Sequence, residues 1–291
     1  MNMTVAIDHV ILTRFNLPTP GPESIVRAKE GWLRNRVELF ERHTVPTMRA
    51  QTVRDFTWII YFDPESPTWL RDRLRPLVEE GLFTPIYRET ATWEDVVTDS
   101  RDITGEIRDL LLTTNLDNDD AVAVDFVERL QRLARAGNGR RAIYLANGLV
   151  CVDDRAYLRR DPANAFCSVS EPWDGAVTAW RDWHILLHKH MPVVSIDGPP
   201  AWLQIVHGGN VSNRLRGRRV DPTMYQSLFA GQLDAMAVPK PRELLVDAVT
   251  LRPLREGREL VRTTGRKVVL RILGKGSLDT IKESIRRIAH R

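Results

Sequence analysis

The segment TWIIYFD, residues 57–63, carries five consecutive apolar residues and ends in an aspartate. It has the length of one strand and no polar residue to place on an exposed face, so it predicts a strand buried on both sides. A sheet covered on both faces needs helices between its strands. Short apolar runs and amphipathic helical runs do alternate through the first two-thirds of the chain, and we predict an α/β fold.

The same pattern gives the expected order of elements. We predict helices at residues 23–42, 69–80, 103–109 and 121–135. We predict strands at residues 5–12, 57–63 and 110–116 and in the segments FTPIYR, PVVSID and AWLQIVH. The segment RAIYLANGLVCV predicts a hairpin or a pair of short strands about Asn147-Gly148, a strong turn dipeptide.

Composition sets the class of protein. Of 291 residues, 43% are hydrophobic and 27% are charged, which is typical of a folded globular chain. No apolar run is long enough to span a membrane, and no basic flank precedes an apolar core near the start, so we expect no transmembrane helix and no secretory signal. The two cysteines, Cys151 and Cys167, favour a reduced, cytoplasmic protein.

The C-terminal part of the chain is helical in pattern and rich in Lys and Arg. We predict one domain at residues 1–220 and a helical extension at residues 221–291 that packs on it. The last helix has an apolar stripe that includes Ile281 and Ile285 and a basic face that includes Lys282 and Arg286. Packing on its own domain and peripheral contact with a membrane surface both remain open for this helix.

The segment TTNLDNDDAV places Asp117, Asp119 and Asp120 in four positions directly after a predicted strand. Crowded carboxylates repel each other unless a cation lies among them. Open α/β sheets bind ligands at the carboxyl ends of their strands, where this cluster is expected. The cluster therefore predicts a divalent metal site. Capping of the following helix by Asp120 remains an alternative. An EF-hand is excluded because Val122 occupies the loop position that requires glycine.

A second motif, GNGRRA at residues 137–142, matches the spacing of a dinucleotide-binding loop. That motif must follow a strand and begin a helix. Here it follows a predicted helix and precedes a predicted strand, so we reject a dinucleotide site.

The LDNDD segment resembles the Asp-x-Asp element of GT-A glycosyltransferases. The segments ILTRFN, AQTVRDFTWIIYFD and WLQIVHGGNVSNRLRG resemble, more narrowly, a bacterial family of rhamnosyltransferases. The likeness covers roughly residues 9–217. It implies a GT-A-like mixed sheet flanked by helices, as in nucleotide-diphospho-sugar transferases. It also implies an inverting transfer from a nucleoside-diphosphate sugar, such as dTDP-rhamnose, to an unknown acceptor hydroxyl, with no nucleic acid involved.

The resemblance implies a site built around Mn²⁺ or Mg²⁺. Asp119 is expected as the principal ligand, with Asp117 sharing the ion or holding hydroxyls and His207 completing the site. The residues expected to hold the nucleotide sugar are Arg14, Asp63, Asp117, Asp120, Gly208, Asn210, Asn213 and Arg214. For Arg14 and Asp63, a surface salt bridge remains an alternative, and for His207 a structural hydrogen bond does.

An inverting transferase also needs a general base for the acceptor hydroxyl. We predict Glu171 in the segment SVSEPWDG as this base, with Asp174 and His184 as the next candidates. A structural carboxylate that caps a turn before Pro172 remains an alternative for Glu171.

Two other functions remain open at this stage. A metal-dependent phosphohydrolase or nucleotidyltransferase would use the same aspartates and no sugar acceptor. A nucleic-acid-binding module would use the basic C-terminal part, although no nucleic-acid motif accompanies it.

Overall fold

The computed structural model describes residues 5–18, 31–105, 107–207, 215–255 and 257. The chain forms two compact units, Met1–Val238 and Pro239–Arg291. Within the described part of the first unit, the strands form a seven-stranded and a five-stranded sheet.

The larger sheet carries the strands whose ends form the candidate site. Its members are β1 (Ile7–Arg14), β2 (Thr57–Phe62), β3 (Thr84–Tyr87), β4 (Leu110–Asn115), β6 (Arg141–Leu145), β9 (Ser168–Glu171) and β10 (Val193–Ile196), in the order β10–β6–β9–β4–β1–β2–β3. Strand β1 pairs in parallel with both β2 and β4, and β2 pairs in parallel with β3. Strand β9 runs antiparallel to β4 and β6. The carboxyl ends of β1 to β4 therefore meet at one edge, and the end of β9 points to the other.

The smaller sheet lies in the same unit. Its strands are β5 (Ala121–Val122), β7 (Asn147–Val152), β8 (Arg155–Arg160), β11 (Trp202–Val206) and β12 (Arg218–Arg219), in the order β12–β8–β7–β11–β5. Strand β5 follows the aspartate cluster directly and pairs with β11. This pairing brings the two segments that carried the resemblance next to each other.

Helices cover the large sheet as the apolar pattern requires. They are α1 (Trp32–Leu39), continued through a π-helical turn at Phe40–Thr44 into α2 (Val45–Arg49), then α3 (Thr68–Glu79), α4 (Trp93–Thr104) and α5 (Phe126–Arg135). The main core includes the fully buried rings of Phe40, Trp58 and Phe126. The Trp58 indole also donates a hydrogen bond to the buried Thr13 hydroxyl at 3.0 Å, so its polar atom is satisfied.

The second unit contains α6 (Pro241–Val246) and a π-helical turn at Asp247–Leu251. The apolar stripe and basic face predicted for the last helix lie outside the described residues. None of the helices in the described residues has the length and apolar content needed to span a membrane.

The α/β prediction with a mixed sheet and flanking helices is confirmed, and so are the predicted strands at β1, β2, β3, β4, β10 and β11. The helix predicted at residues 103–109 is wrong, because α4 ends at Thr104. The helix predicted from residue 121 begins only at Phe126, because Ala121 and Val122 pair with β11 instead.

The segment about Asn147-Gly148 forms two strands but no hairpin. Strands β6 and β7 belong to different sheets, and Asn147 and Gly148 are the first residues of β7. The motif GNGRRA follows α5, and its last two residues begin β6, as expected for a segment that is no dinucleotide loop. The division between units at Val238 and Pro239 falls later than residue 220, because Phe229 and Leu233 pack with strand residues of the smaller sheet.

Candidate functional site

A cleft of about 960 Å³ lies at the carboxyl ends of β1 and β4. Arg14 and Asp117 contribute to its wall from these strand ends, and Trp202 and Gln204 contribute from β11. The loops at residues 161–167 and 179–185 supply most of the remaining wall. The volume lies at the upper end of the range of about 300–1,000 Å³ found for small-molecule pockets.

Asp117 lies on the cleft wall next to a fixed amide. The Asn115 amide donates to Asp117 at 3.4 Å and to the Ala165 carbonyl at 2.9 Å, and it accepts from the Trp180 indole at 2.8 Å. Asp117 is exposed to the cleft, but the protein packed around its carboxyl group displaces part of the water there. This desolvation raises the pKa of Asp117 to about 6, and the charge of Asp119 makes a smaller contribution. Asp117 is therefore an accessible carboxyl group whose pKa is also raised by the neighbouring charge of Asp119.

Asp119 is buried and has cationic or N–H partners on one oxygen. Its Oδ2 lies 2.6 Å from Nη1 of Arg36 and 3.0 Å from Nε2 of His207. Nη1 of Arg36 also donates to the Asn118 side-chain oxygen at 3.1 Å. Burial opposes ionisation of Asp119, but the hydrogen bonds and charges of His207 and Arg36 hold its pKa below the usual value. Asp119 is therefore an ionised carboxylate in a buried position.

Asp120 lies in the interior, and its position is not compatible with the predicted contact to the nucleotide sugar. Its Oδ1 accepts from the Ile205 N–H at 2.9 Å, and its carbonyl accepts from the Thr44 hydroxyl at 2.8 Å. Burial, followed by the charges of Asp119 and Asp117, raises the pKa of Asp120 well above its usual value. The alternative helix cap is also wrong, because Asp125 precedes α5. Asp120 is a buried structural group that joins β5 to β11.

The predicted set of three metal ligands is not assembled. The described residues hold no group of three or more His, Cys, Asp or Glu side chains placed to bind one metal ion. Asp119 and His207 do converge, although they are 88 residues apart in the chain. One carboxylate and one imidazole fit a divalent ion that takes its other ligands from phosphate oxygens and water. Mn²⁺ or Mg²⁺ therefore stays a prediction.

The two residues expected near the nucleotide have different surroundings. Arg14 lines the cleft, and its guanidinium carbon lies 3.7 Å from the centroid of the Trp180 ring. Asp63 does not line the cleft; its Oδ1 accepts from the Glu65 N–H at 2.8 Å, within the turn that follows β2. Arg14 therefore remains placed for an anionic ligand, and Asp63 stabilises a turn.

Glu171 is fully buried at the end of β9, where it pairs with Leu111 near the start of β4. Its carboxylate accepts from Nε of Arg140 at 2.6 Å and from the N–H groups of Val177 at 3.0 Å and Thr178 at 2.8 Å. This placement at the opposite edge of the sheet is not compatible with the predicted role of catalytic base. Glu171 instead holds the loop that follows β9.

The other two candidate bases also differ. Asp174 is exposed in the turn after β9 and does not line the cleft. His184 lines the cleft and is half-buried. Burial lowers the pKa of His184, partly offset by the charge of Asp161. Of the three predicted bases, His184 alone is brought to the cleft. The predicted ligand residues Gly208, Asn210, Asn213 and Arg214 lie outside the described residues.

The comparisons with known proteins agree with the segments that carried the resemblance. The model of the family described as "Putative rhamnosyl transferase" matches residues 8–219. The chain belongs to this rhamnosyl transferase family. No match was found among curated proteins.

Two solved structures illustrate the similarity in the course of the chain. One is TarS 1–349 of S. aureus in complex with UDP, at 8% identity and a TM-score of 0.41, covering 68% of this chain and 60% of that one. The other is the inositol-1-phosphate CTP transferase of T. maritima, at 10% identity and a TM-score of 0.38, covering 80% and 99%. The function proposed below rests on the rhamnosyl transferase family and on the site, not on these structures.

Two residues at the site of this rhamnosyl transferase family member, Arg36 and Asp161, were not predicted from the sequence. Arg36 lies within the predicted helix at residues 23–42, where nothing distinguishes it from the neighbouring arginines. Asp161 follows β8 and precedes Pro162, just as Asp63 follows β2 and precedes Pro64. It lines the cleft and is ion-paired with Arg159. The Asp-Pro signal was therefore available for Asp161, and none was available for Arg36.

Proposed function

We propose that this chain is a metal-dependent glycosyltransferase that moves a sugar from a nucleoside diphosphate to an acceptor hydroxyl with inversion. Rhamnose, by the description of the family, is the first donor sugar to test. The observation that carries the proposal is the contact between Asp119 and His207, in which Asp119 stands two residues along the chain from the cleft-lining Asp117. It joins the LDNDD segment and the start of the HGGN segment, both within the residues that match the family model.

The charges of the site suit a diphosphate leaving group. A divalent ion bound by Asp119 and His207 would supply positive charge to the two phosphates as the glycosidic bond breaks. Arg14 adds a cation on the cleft wall, and stacking on Trp180 holds its guanidinium in place. Asp117 stands next to this region with a carboxyl group that can bind a hydroxyl of the donor.

The acceptor needs a group that removes its hydroxyl proton as the new bond forms. His184 is the predicted base that lies in the cleft, and its lowered pKa keeps the imidazole neutral and able to accept a proton at neutral pH. The 3-10 turn that begins at His184 is fixed by a hydrogen bond from the Tyr144 hydroxyl to the His184 carbonyl. We assign the role of base to His184, with Asp161 stabilising the imidazolium that results.

The test is a thermal-shift panel of nucleoside diphosphates and their sugars, with and without Mn²⁺ or Mg²⁺. We expect one nucleotide family to raise the Tm only when the metal is present, and the Asp119→Asn variant to lose this shift. The Asp174→Asn variant, changed at an exposed carboxylate outside the cleft, serves as the control and should keep it. A nucleotide-dependent shift that survives in Asp119→Asn would overturn the assignment of the site.

A further inference from the structure

Trp183 is the most exposed aromatic side chain among those named for the cleft, with 71% of its surface accessible. Water solvates an indole ring poorly, and an exposed Trp at the rim of a cleft offers an apolar surface that a bound ligand can cover. The backbone here is fixed. The Trp183 N–H donates to Asp182 at 2.8 Å, and the next turn is anchored by the fully buried Leu187.

The position of Trp183 separates it from the expected phosphate region. Arg14 is the last residue of β1 and Asp117 follows β4, whereas the carbonyl of His184, next to Trp183, accepts a hydrogen bond from Tyr144 of β6. Strand β6 lies beyond β9 on the side of β4 away from β1. The indole therefore lies toward the β6 side of the cleft rim.

The polar groups of the same cleft suit hydroxyl groups. Asp161, Arg159 and Gln204 line it, and Nη1 of Arg159 donates to the Gln204 side chain at 3.4 Å. A carboxylate, a guanidinium and an amide bind vicinal hydroxyls as acceptors and donors. The electron-rich face of an indole packs against the C–H face of a pyranose ring, whose hydrogens carry partial positive charge. An aromatic face with flanking polar groups is thus complementary to a sugar.

The cleft that Trp183 lines has a volume of about 960 Å³, at the upper end of the range of about 300–1,000 Å³ found for small-molecule pockets. We infer that the β6 side of the cleft is a saccharide-binding subsite with Trp183 as its stacking platform, so that the acceptor is a carbohydrate. The role of this saccharide as the acceptor rests on the proposed function, whereas the binding of a saccharide at this subsite does not.

The experiment is saturation-transfer NMR on the full chain with methyl glycosides of hexoses and 6-deoxyhexoses and with common disaccharides. We expect at least one saccharide to bind, with its strongest signals on the C–H protons of one ring face. Trp183→Ala should weaken binding about 3- to 10-fold, the value of one aromatic stacking contact. Trp183→Phe should restore most of it. Met224→Ala, changed at an equally exposed side chain (71%) that does not line the cleft, should bind as the wild type does.

Three results would overturn the inference. One is that the wild type binds none of the saccharides, with or without a nucleoside diphosphate. Another is that Trp183→Ala binds them unchanged. The third is that Trp183→Ala loses nucleotide-dependent thermal stabilisation, since Trp183 would then stack on the base of the donor. Saccharide binding without any nucleotide binding would keep the subsite and remove the proposed transfer, so the two failures are distinguishable.

Discussion

A buried carboxylate stays ionised only where cationic or N–H groups replace the water that it has lost. At Asp119 these groups are Arg36 and His207, both mostly buried themselves. Arg36 bridges Asp119 and Asn118, and Asn118 in turn donates to the Phe15 carbonyl at 2.9 Å. The guanidinium therefore fixes the LDNDD segment against the end of β1 and supplies the positive charge that the aspartate requires.

Removal of that charge should make the protein depend on a metal ion for stability. We predict that Arg36→Met lowers the free energy of unfolding by about 3 kcal/mol, because it leaves a buried carboxylate with one partner fewer. Millimolar Mn²⁺ should restore much of the loss, because the ion replaces the missing charge next to Asp119. Urea unfolding with and without Mn²⁺ measures both effects.

The control for this variant is Arg73→Met, which breaks an exposed pair with Glu41. It should unfold as the wild type does and show no added response to Mn²⁺. Equal Mn²⁺ effects in the wild type, Arg36→Met and Arg73→Met would contradict the role given to Arg36.

The structural role of Glu171, which holds the loop after β9, can be tested directly. We predict that Glu171→Gln destabilises the fold by about 2–4 kcal/mol, because an amide cannot accept all the hydrogen bonds that Arg140, Val177 and Thr178 donate. Nucleotide binding measured by thermal shift should persist below the new Tm. Full stability together with complete loss of sugar transfer would instead restore Glu171 as the base.

At the scale of elements, the pairing of β7 with β11 within the smaller sheet brings Gly148 against Trp202. Gly148 stands opposite Trp202 in the register, and the indole occupies the space where a Cβ would lie. Trp202 also stacks on Phe166 with ring centroids 5.2 Å apart, and both rings line the cleft. The glycine therefore positions part of the cleft wall.

A methyl group at residue 148 should disturb that wall. We expect Gly148→Ala to cost about 1–3 kcal/mol through overpacking and to change the fluorescence of the Trp202 region. Gly198→Ala, where an added Cβ meets nothing within 4 Å, is the matched control and should be neutral. A neutral Gly148→Ala would show that the indole has room to move.

Elements with a strong local pattern could be predicted from the sequence, and those that depend on distant partners could not. The buried run at residues 57–63 specifies a strand by itself. Ala121 and Val122 continue a helical period, but β11 recruits them into a sheet. Asn147-Gly148 satisfies every local requirement of a hairpin, and the glycine is present for Trp202 instead. Local periodicity contains no information on either partner.

The site was predictable to the same degree. The aspartates at a strand end indicated a ligand, and the family resemblance joined His207 to them. The resemblance could not place Glu171, because the reversal of β9 against β4 sends its carboxylate to the opposite edge. Arg36 contacts Asp119 because α1 passes close to the aspartate cluster, and no sequence motif indicates this contact.

At the scale of the whole molecule, we expect stability to depend on pH through a buried histidine that does not line the cleft. His9 is buried in β1; its Nε2 contacts the Thr114 hydroxyl at 2.9 Å, and its Nδ1 has no hydrogen-bond partner among the described residues. Burial lowers the pKa of His9 to about 3. The folded protein therefore keeps His9 neutral at pH values where the unfolded chain protonates it.

This difference gives a signed pH dependence. Below the unfolded pKa of about 6.5 the unfolded state binds the extra proton, so the free energy of unfolding falls by up to about 1.4 kcal/mol per pH unit down to the folded value. Between pH 7 and pH 5 we expect His9→Gln to lose about 2 kcal/mol less than the wild type does. Urea unfolding at the two pH values measures this, and equal losses in both proteins would refute the assignment.

The proposed function requires that the chain break the bond between a sugar and a nucleoside diphosphate. ³¹P NMR of dTDP- and UDP-sugars incubated with the protein, Mn²⁺ and a saccharide acceptor measures this cleavage directly. We expect release of the intact nucleoside diphosphate, abolished in Asp119→Asn. Release of a nucleoside monophosphate with a sugar phosphate, or of inorganic phosphate or pyrophosphate, would contradict it and indicate a phosphohydrolase or nucleotidyltransferase.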